Sequence, residues 1–310
     1  MSQEHPASSK PLLSVKDVLW LLYLYPLRLF AWRLSPRNLH RLGRVLEPVF
    51  QILVAGRRRI ARARMSKALS SKCSAAEIDR ISKRFVANAV WRALDDLHLM
   101  DPESAARIAA PQIHGFDHLT RALSRGHGAL LLTGHFYAMR LGKRHLAGMG
   151  YPVMSVRKGE PPDEWMGRLG ARFIQPRYVE FLHQVIGDEV FIEDPQCSLK
   201  IFRRLRSGGL VNVHFDASFT RHPVFLPFLG GTKRFATGMI EIVRLSNCAV
   251  VPMQCLGNQR GWSIRFDEPL TLHPAASREE FADRNIQQFV DTLERQILEH
   301  AEEWEGWIRL

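Results

Sequence analysis

The residue best placed for chemistry is His135, in the run Leu131-Leu132-Thr133-Gly134-His135-Phe136-Tyr137-Ala138-Met139-Arg140-Leu141-Gly142. The apolar residues Ala129–Thr133 predict a buried strand that ends at Gly134, and a helix is expected from about 137. An imidazole at that junction points out of the sheet edge beside a helix amino terminus, where it suits general-base attack on a hydroxyl. Lys233 and Arg234 follow the Gly230-Gly231 turn and fit either a phosphate contact or a solvated loop. His145, His183 and His222 have no partner pattern and read as surface or core histidines. The four cysteines, Cys73, Cys197, Cys248 and Cys255, form no CxxC pair or metal-like cluster, so reduced thiols and no metal centre are expected.

These residues need a scaffold, and the hydrophobic pattern supplies one. Residues 12 to about 110 read as helices. Ala75–Leu99 places Ile78, Ile81, Phe85, Val86 and Val90 at helical spacing, with Ser74 as N-cap and Glu77 completing a capping-box pattern. From about 111 short strands alternate with helices. Strands are expected at 129–133, 152–156, 172–174, 210–215, 249–256 and 262–266, the last two antiparallel. Helices are expected near 137–150, 163–170, 197–206, 235–246 and 277–303. That alternation predicts an α/β fold whose mainly parallel central sheet is flanked by helices, with an N-terminal helical membrane-associating region. The division expected is 1–110 for the helical, membrane-interface part and 111–310 for the α/β part. In such sheets the chemistry sits at the carboxyl ends of strands, where His135 falls.

The chain has 310 residues, 46% of them hydrophobic and 24% charged, so a large core needs no disulfides. A formal net charge of +12, from 43 Lys+Arg against 31 Asp+Glu, points to anionic partners. The segment Leu12–Trp32 is rich in Leu, Trp, Tyr and Phe. It lacks the basic start and small-residue site of a cleavable signal. Its uninterrupted apolar stretch, Val18–Tyr25, is far shorter than the ~20 residues of a bilayer span, and Pro26 and Arg28 follow it. An interfacial or half-inserted helix fits, and a buried core helix is the alternative. The cluster Arg57-Arg58-Arg59, Arg62, Arg64 and Lys67 reads equally as a lipid-facing or a solvated helix face. A nucleic-acid partner is not expected, because no recognition motif or stacking platform accompanies the charge.

The stretch around His135 resembles the first motif of the lysophospholipid acyltransferase superfamily, and more closely its lipid A lauroyl/myristoyl acyltransferase branch. Met154-Ser155-Val156-Arg157 is similar to the branch's next strand with its Arg. The passage from Arg203 through Gly208-Gly209 to His214-Phe215-Asp216 is similar to a helix-Gly-Gly-strand leading to an Asp-containing loop. Val224–Gly231, Ala236-Thr237-Gly238 and Ala249–Pro252 continue the pattern in order. The resemblance implies a membrane acyltransferase with no bound cofactor. Its donor would be an acyl carrier protein or acyl-CoA, and its acceptor a membrane lipid such as a lipid A precursor. It would work at an anionic surface, the cytoplasmic face of an inner membrane, held peripherally or by one N-terminal anchor. The resemblance further implies His135 as general base and Arg157 as a substrate contact, with a structural ion pair as the plainer reading of Arg157 and of Asp216.

Where that family has an acid after His, this chain has Arg140. Three readings of it stand. Another carboxylate, led by Asp216, reaches His135 from a neighbouring loop. Arg140 instead binds a phosphate or another anionic substrate group. Or the protein has lost acyl transfer and survives as a lipid-binding accessory on the same fold.

Overall fold

Ala129–Thr133, the strand leading to His135, is buried at all five positions. Such an unbroken apolar run belongs in a sheet covered on both faces. The computed structural model describes residues 11–159, 166–217, 223–258 and 261–308, and its nine described strands confirm that setting. They are β1 (Gln112–His114), β2 (Ala129–Thr133), β3 (Val153–Arg157), β4 (Glu189–Phe191), β5 (Leu210–His214), β6 (Pro223–Phe228), β7 (Gly231–Ala236), β8 (Ala249–Asn258) and β9 (Gly261–Phe266). Seven of them form one sheet in the order β1-β9-β8-β2-β5-β3-β4, and β6 and β7 form a separate antiparallel hairpin. Every neighbour in the large sheet is parallel except β8 against β9.

The helices begin with α1 (Val15–Leu22), α2 (Arg28–Arg33), α3 (Pro36–Leu53), α4 (Ala55–Leu69), α5 (Ala75–Leu99) and α6 (Pro102–Ala105). Then α7 (Phe116–Leu123), α8 (Met139–Gly148), α9 (Gln175–Ile186), α10 (Cys197–Arg206), α11 (Gly238–Ser246) and α12 (Arg278–Glu299) alternate with the strands. The largest core cluster draws on α4, α5, the central strands and α12 together, with Met65, Phe85, Leu131, Val211 and Phe289 among its members. Ser74 caps α5 by accepting from the Glu77 amide, and Ser277 caps α12 by accepting from that of Glu280.

Three expectations need correction. Residues 172–174 are not a strand: Gly170–Ile174 is a π-helical turn running into α9. The reason is a contact distant in sequence, since a Cβ on Gly170 would overlap the Asp17 carboxylate, so the turn wraps around that buried side chain. Residues 235–236 end β7, so the helix expected from 235 begins at Gly238. The last helix stops at Glu299 and gives way to 3₁₀ turns at Ala301–Glu303 and Glu305–Ile308. The hairpin β6–β7 was not expected, and its prolines, Pro223 and Pro227, are tolerated because the ribbon has only two strands. The helix expected at 163–170 lies partly outside the described residues, as do His222 and residues 1–10.

The N-terminal segment is a helix with a π-helical stretch, Tyr23–Leu27, between α1 and α2. Pro26 lies inside it, and a proline without an amide hydrogen favours such a bulge. One side of the segment is docked. Asp17 closes a capping box with Ser14 and accepts from the Gly167 amide, and Trp20 packs on Tyr178 at 4.5 Å. The other side is bare and apolar. Val15 and Leu19 are exposed, with Val15 at 79%, and on α3 Val45, Val49, Ile52 and Leu53 are exposed too, Ile52 at 77%. No described helix is long and apolar enough to cross a membrane.

Candidate active site

The sheet register places two residues together before any side-chain chemistry is considered. Parallel pairing of β2 with β5 sets Thr133 against His214. Two residues further along each strand come His135 and Asp216, and the pairing extends past Thr133 because the Phe215 amide donates to its carbonyl at 2.9 Å. His135 Nδ1 lies 2.7 Å from Asp216 Oδ1, and the His135 backbone amide donates to Asp216 Oδ2 at 3.0 Å. Asp216 Oδ2 also accepts from the Trp304 indole Nε1 at 2.7 Å. The carboxylate side chain is only 2% exposed, whereas the imidazole is 28% exposed. Burial works to raise the Asp216 carboxyl, but the adjoining His135 and its hydrogen bond hold it well below the ordinary carboxylate range. An anionic Asp216 fixes the tautomer: Nδ1 carries the proton, and Nε2, which has no hydrogen bond among the described residues, keeps its lone pair for an incoming proton.

His214 stacks on His135 with ring centroids 4.2 Å apart and planes 31° from parallel. Burial, with the nearby His135 and Lys143, pushes His214 well below the usual imidazole value, so it stays neutral beside His135. His135, His214 and Asp216 are also the one described group of three whose potential metal-ligating atoms lie within 4.8 Å of one another. Their arrangement suits an ion poorly. Both Asp216 oxygens already accept hydrogen bonds, from the His135 side chain and amide and from the Trp304 indole.

Arg140 does not approach His135 as the missing acid would. It forms a hydrogen-bonded ion pair with Asp96 of α5, whose side chain is 8% exposed. Burial opposes the Arg140 charge, but Asp96, with Tyr178 and Tyr23 behind it, holds the guanidinium above its usual range. Arg157 pairs with Glu189 of β4, which also bonds His183. Lys233, half-buried on β7, lies under the influence of Asp216, Arg234 and Arg64, and burial lowers its ammonium from the usual value. Arg234 is exposed. Arg64 donates to the Trp307 carbonyl at 2.8 Å, so part of the basic α4 run reaches toward the site. Phe228 is core, packed edge-on against Trp304 at 6.1 Å, while Phe225 is 64% exposed.

Three participants carried no sequence expectation: Asp96, His214 and Trp304. His214 was visible two residues before Asp216, on the same strand face. Trp304 had a weaker signal, the Trp304/Trp307 pair just past an amphipathic helix. Asp96 had none, because its partner is 44 residues away.

The molecule is an α/β protein with a mainly parallel sheet, and its strand-end His–Asp pair is an arrangement that can take up a proton. Residues 9–309 match the family described as Bacterial lipid A biosynthesis acyltransferase, and the chain belongs to that family. It is also 26% identical over 221 residues to the phosphatidylinositol mannoside acyltransferases of two Mycobacterium tuberculosis strains, CDC 1551 / Oshkosh and ATCC 25618 / H37Rv. Those matches cover 69% of this chain and 64% of each relative's length, so the chain spans a little under two thirds of the curated relatives.

Proposed function

We propose that this protein transfers a fatty acyl chain from a thioester donor, acyl carrier protein or acyl-CoA, to a hydroxyl of a membrane lipid. The observation that carries the reading is the 2.7 Å contact between His135 and a buried, anionic Asp216. His135 Nε2 removes the acceptor hydroxyl proton as its oxygen attacks the thioester carbonyl. Asp216 stabilises the imidazolium so formed. The C–S bond then breaks, and the leaving thiolate takes the proton from His135. Family membership and the mannoside-lipid relatives favour a glycolipid acceptor, of which a lipid A precursor is one example.

Lys233 and Arg234, with Arg64 behind them, are the cations we place near an anionic part of either substrate. We keep Arg157 as a sheet-edge residue that Glu189 orients for a substrate anion, and we assign Arg140 to the Asp96 pair. The accessory-protein reading arose from Arg140, and Asp216 supplies the carboxylate whose absence prompted it. The exposed apolar residues of α1 and of α3, with exposed Arg57 and Arg59, support peripheral seating on an anionic membrane, its cytoplasmic face in the family reading. The test is acyl transfer from labelled palmitoyl-CoA and acyl carrier protein thioesters to extracted glycolipids. His135→Ala should abolish it, and Asp216→Asn should lower the rate by up to about 10⁴-fold, as loss of the orienting carboxylate does in a Ser-His-Asp triad. Full activity in either variant removes that residue from the mechanism.

A further inference from the structure

The segment after α12 is built into the site. The Tyr137 amide donates to the Glu303 carbonyl at 3.1 Å, and the Glu305 amide donates to the His135 carbonyl at 2.8 Å. Phe136 and Trp304 face each other in an antiparallel bridge between these two bonds. Residues 303–305 thus pair, strand-like, with the backbone that carries His135. Glu305 is fastened in turn by an ion pair to Arg92, and Arg64 holds the Trp307 carbonyl. Within this clamp the Trp304 indole is 1% exposed and donates to Asp216 Oδ2. Gly134 leaves space for it, since a Cβ there would sit 3.2 Å from Trp304 Nε1 and 3.0 Å from Leu293 Cδ1.

We propose that Trp304 is a positioning residue for the His135–Asp216 pair, holding the carboxylate so that Oδ1 faces His135 Nδ1. A carboxylate has two oxygens and a rotatable Cβ–Cγ bond. The His135 amide and the indole N–H together fix Oδ2 from two directions, which leaves Oδ1 for the imidazole. Removing the indole donor frees the rotation and leaves more negative charge for His135. The proton on His135 is then held more tightly, and the neutral base becomes scarcer. The inference rests on reading His135 and Asp216 as the working pair. Its main test needs no substrate, so failure of that reading and failure of this one are distinguishable.

The experiment follows the His135 imidazole by NMR pH titration in the full chain, with the signal assigned through His135→Ala. Trp304→Phe is compared with Trp307→Phe. Trp307 is equally buried, packs edge-on against Trp304 at 5.0 Å and donates its own N–H to the Ala301 carbonyl at 2.6 Å, so Trp307→Phe reports the loss of a neighbouring buried indole that leaves the Trp304 donor to Asp216 in place. The expected result is a His135 midpoint raised by about half a unit or more in Trp304→Phe and unmoved in Trp307→Phe; that shift leaves roughly threefold less neutral base on the acid side. Where acyl transfer is measurable, kcat should fall in Trp304→Phe with KM unchanged. Gly134→Ala, which presses on the indole without removing it, should move the midpoint the same way and covers the case in which Trp304→Phe does not fold. Identical titrations in Trp304→Phe, Trp307→Phe and the unaltered protein overturn the proposal. So does an unmoved midpoint in a folded Gly134→Ala when Trp304→Phe cannot be made.

Discussion

Arg140→Glu restores the acid that the family motif carries after its His, and the structure states what should happen. The new carboxylate would not meet His135. It would face Asp96, which is buried and loses its hydrogen-bonded cation. Removing one partner of a buried ion pair costs about 3–5 kcal/mol. Two carboxylates about 4 Å apart at an effective dielectric near 20 repel by up to about 4 kcal/mol more, unless one takes up a proton. Unfolding entropy scales with length, and 310 residues give about 0.65 kcal/mol/K, so a loss of 4 kcal/mol lowers Tm by about 6 °C. Arg92, the other cation near Asp96, stays in place and limits the damage. The assay is thermal unfolding of Arg140→Glu beside Arg140→Met, together with acyl transfer at a temperature where both are folded. Arg140→Glu should be the less stable of the two and no more active than the parent. Adding Asp96→Lys should recover part of the lost Tm by reversing the pair. An Arg140→Glu protein with unchanged Tm and raised turnover would refute the assignment of Arg140 to Asp96.

The remaining expectations concern pH and the membrane. Burial lifts the Glu303 carboxyl to about 8, so between its unfolded value and about 8 the folded state holds a proton that the unfolded chain has released, and stability falls as pH rises. Glu303→Gln, which can still accept from the Gly257 amide, should flatten the decline in Tm between pH 5 and pH 9; an undiminished decline would show that another group causes it. Lys143 behaves oppositely. Burial, with Arg140 and Arg157 adding to it, lowers its ammonium to about 8, so the unfolded chain binds the extra proton between about 8 and its own higher value, and stability rises with pH there. Lys143→Met should therefore gain more Tm at pH 6.5 than at pH 9.5, and an equal gain at both would count against a charged, strained lysine. On vesicles of phosphatidylethanolamine and phosphatidylglycerol, Val15→Asp combined with Ile52→Asp should cut the bound fraction at least tenfold, since each buried apolar side chain contributes about 1.5–3 kcal/mol. Undiminished pelleting would place the membrane contact elsewhere.

The parts of this protein that were legible in its sequence are those governed by local pattern. The all-apolar β2, the amphipathic α12 and the capping serine at 74 follow from residue type and spacing. His135 was legible for the same reason, as a polar residue ending an apolar strand. Asp216 was legible as one candidate, from a resemblance to an Asp-containing loop, and the adjacency of β2 and β5 that brings it to His135 came only with the fold. What stayed hidden depends on distant contacts. The π-helical turn at Gly170–Ile174 reads as a strand until the Asp17 carboxylate is put against it. Arg140 stays ambiguous until α5 brings Asp96 to it. The hairpin β6–β7 escaped because its prolines and charged residues lack clean alternation.

The His135–Asp216–Trp304 arrangement also bears on how the protein comes to exist. The histidine and aspartate are separated by 81 residues, and the aspartate and tryptophan by 88. No local nucleus can contain the three, and closing such loops costs entropy that only a nearly complete sheet repays. On a ribosome, β2 and β5 emerge long before Trp304, so the imidazole and carboxylate wait, without the indole, for the last helix to dock. The chain is thus expected to form its N-terminal helices first and to bring His135, Asp216 and Trp304 together last.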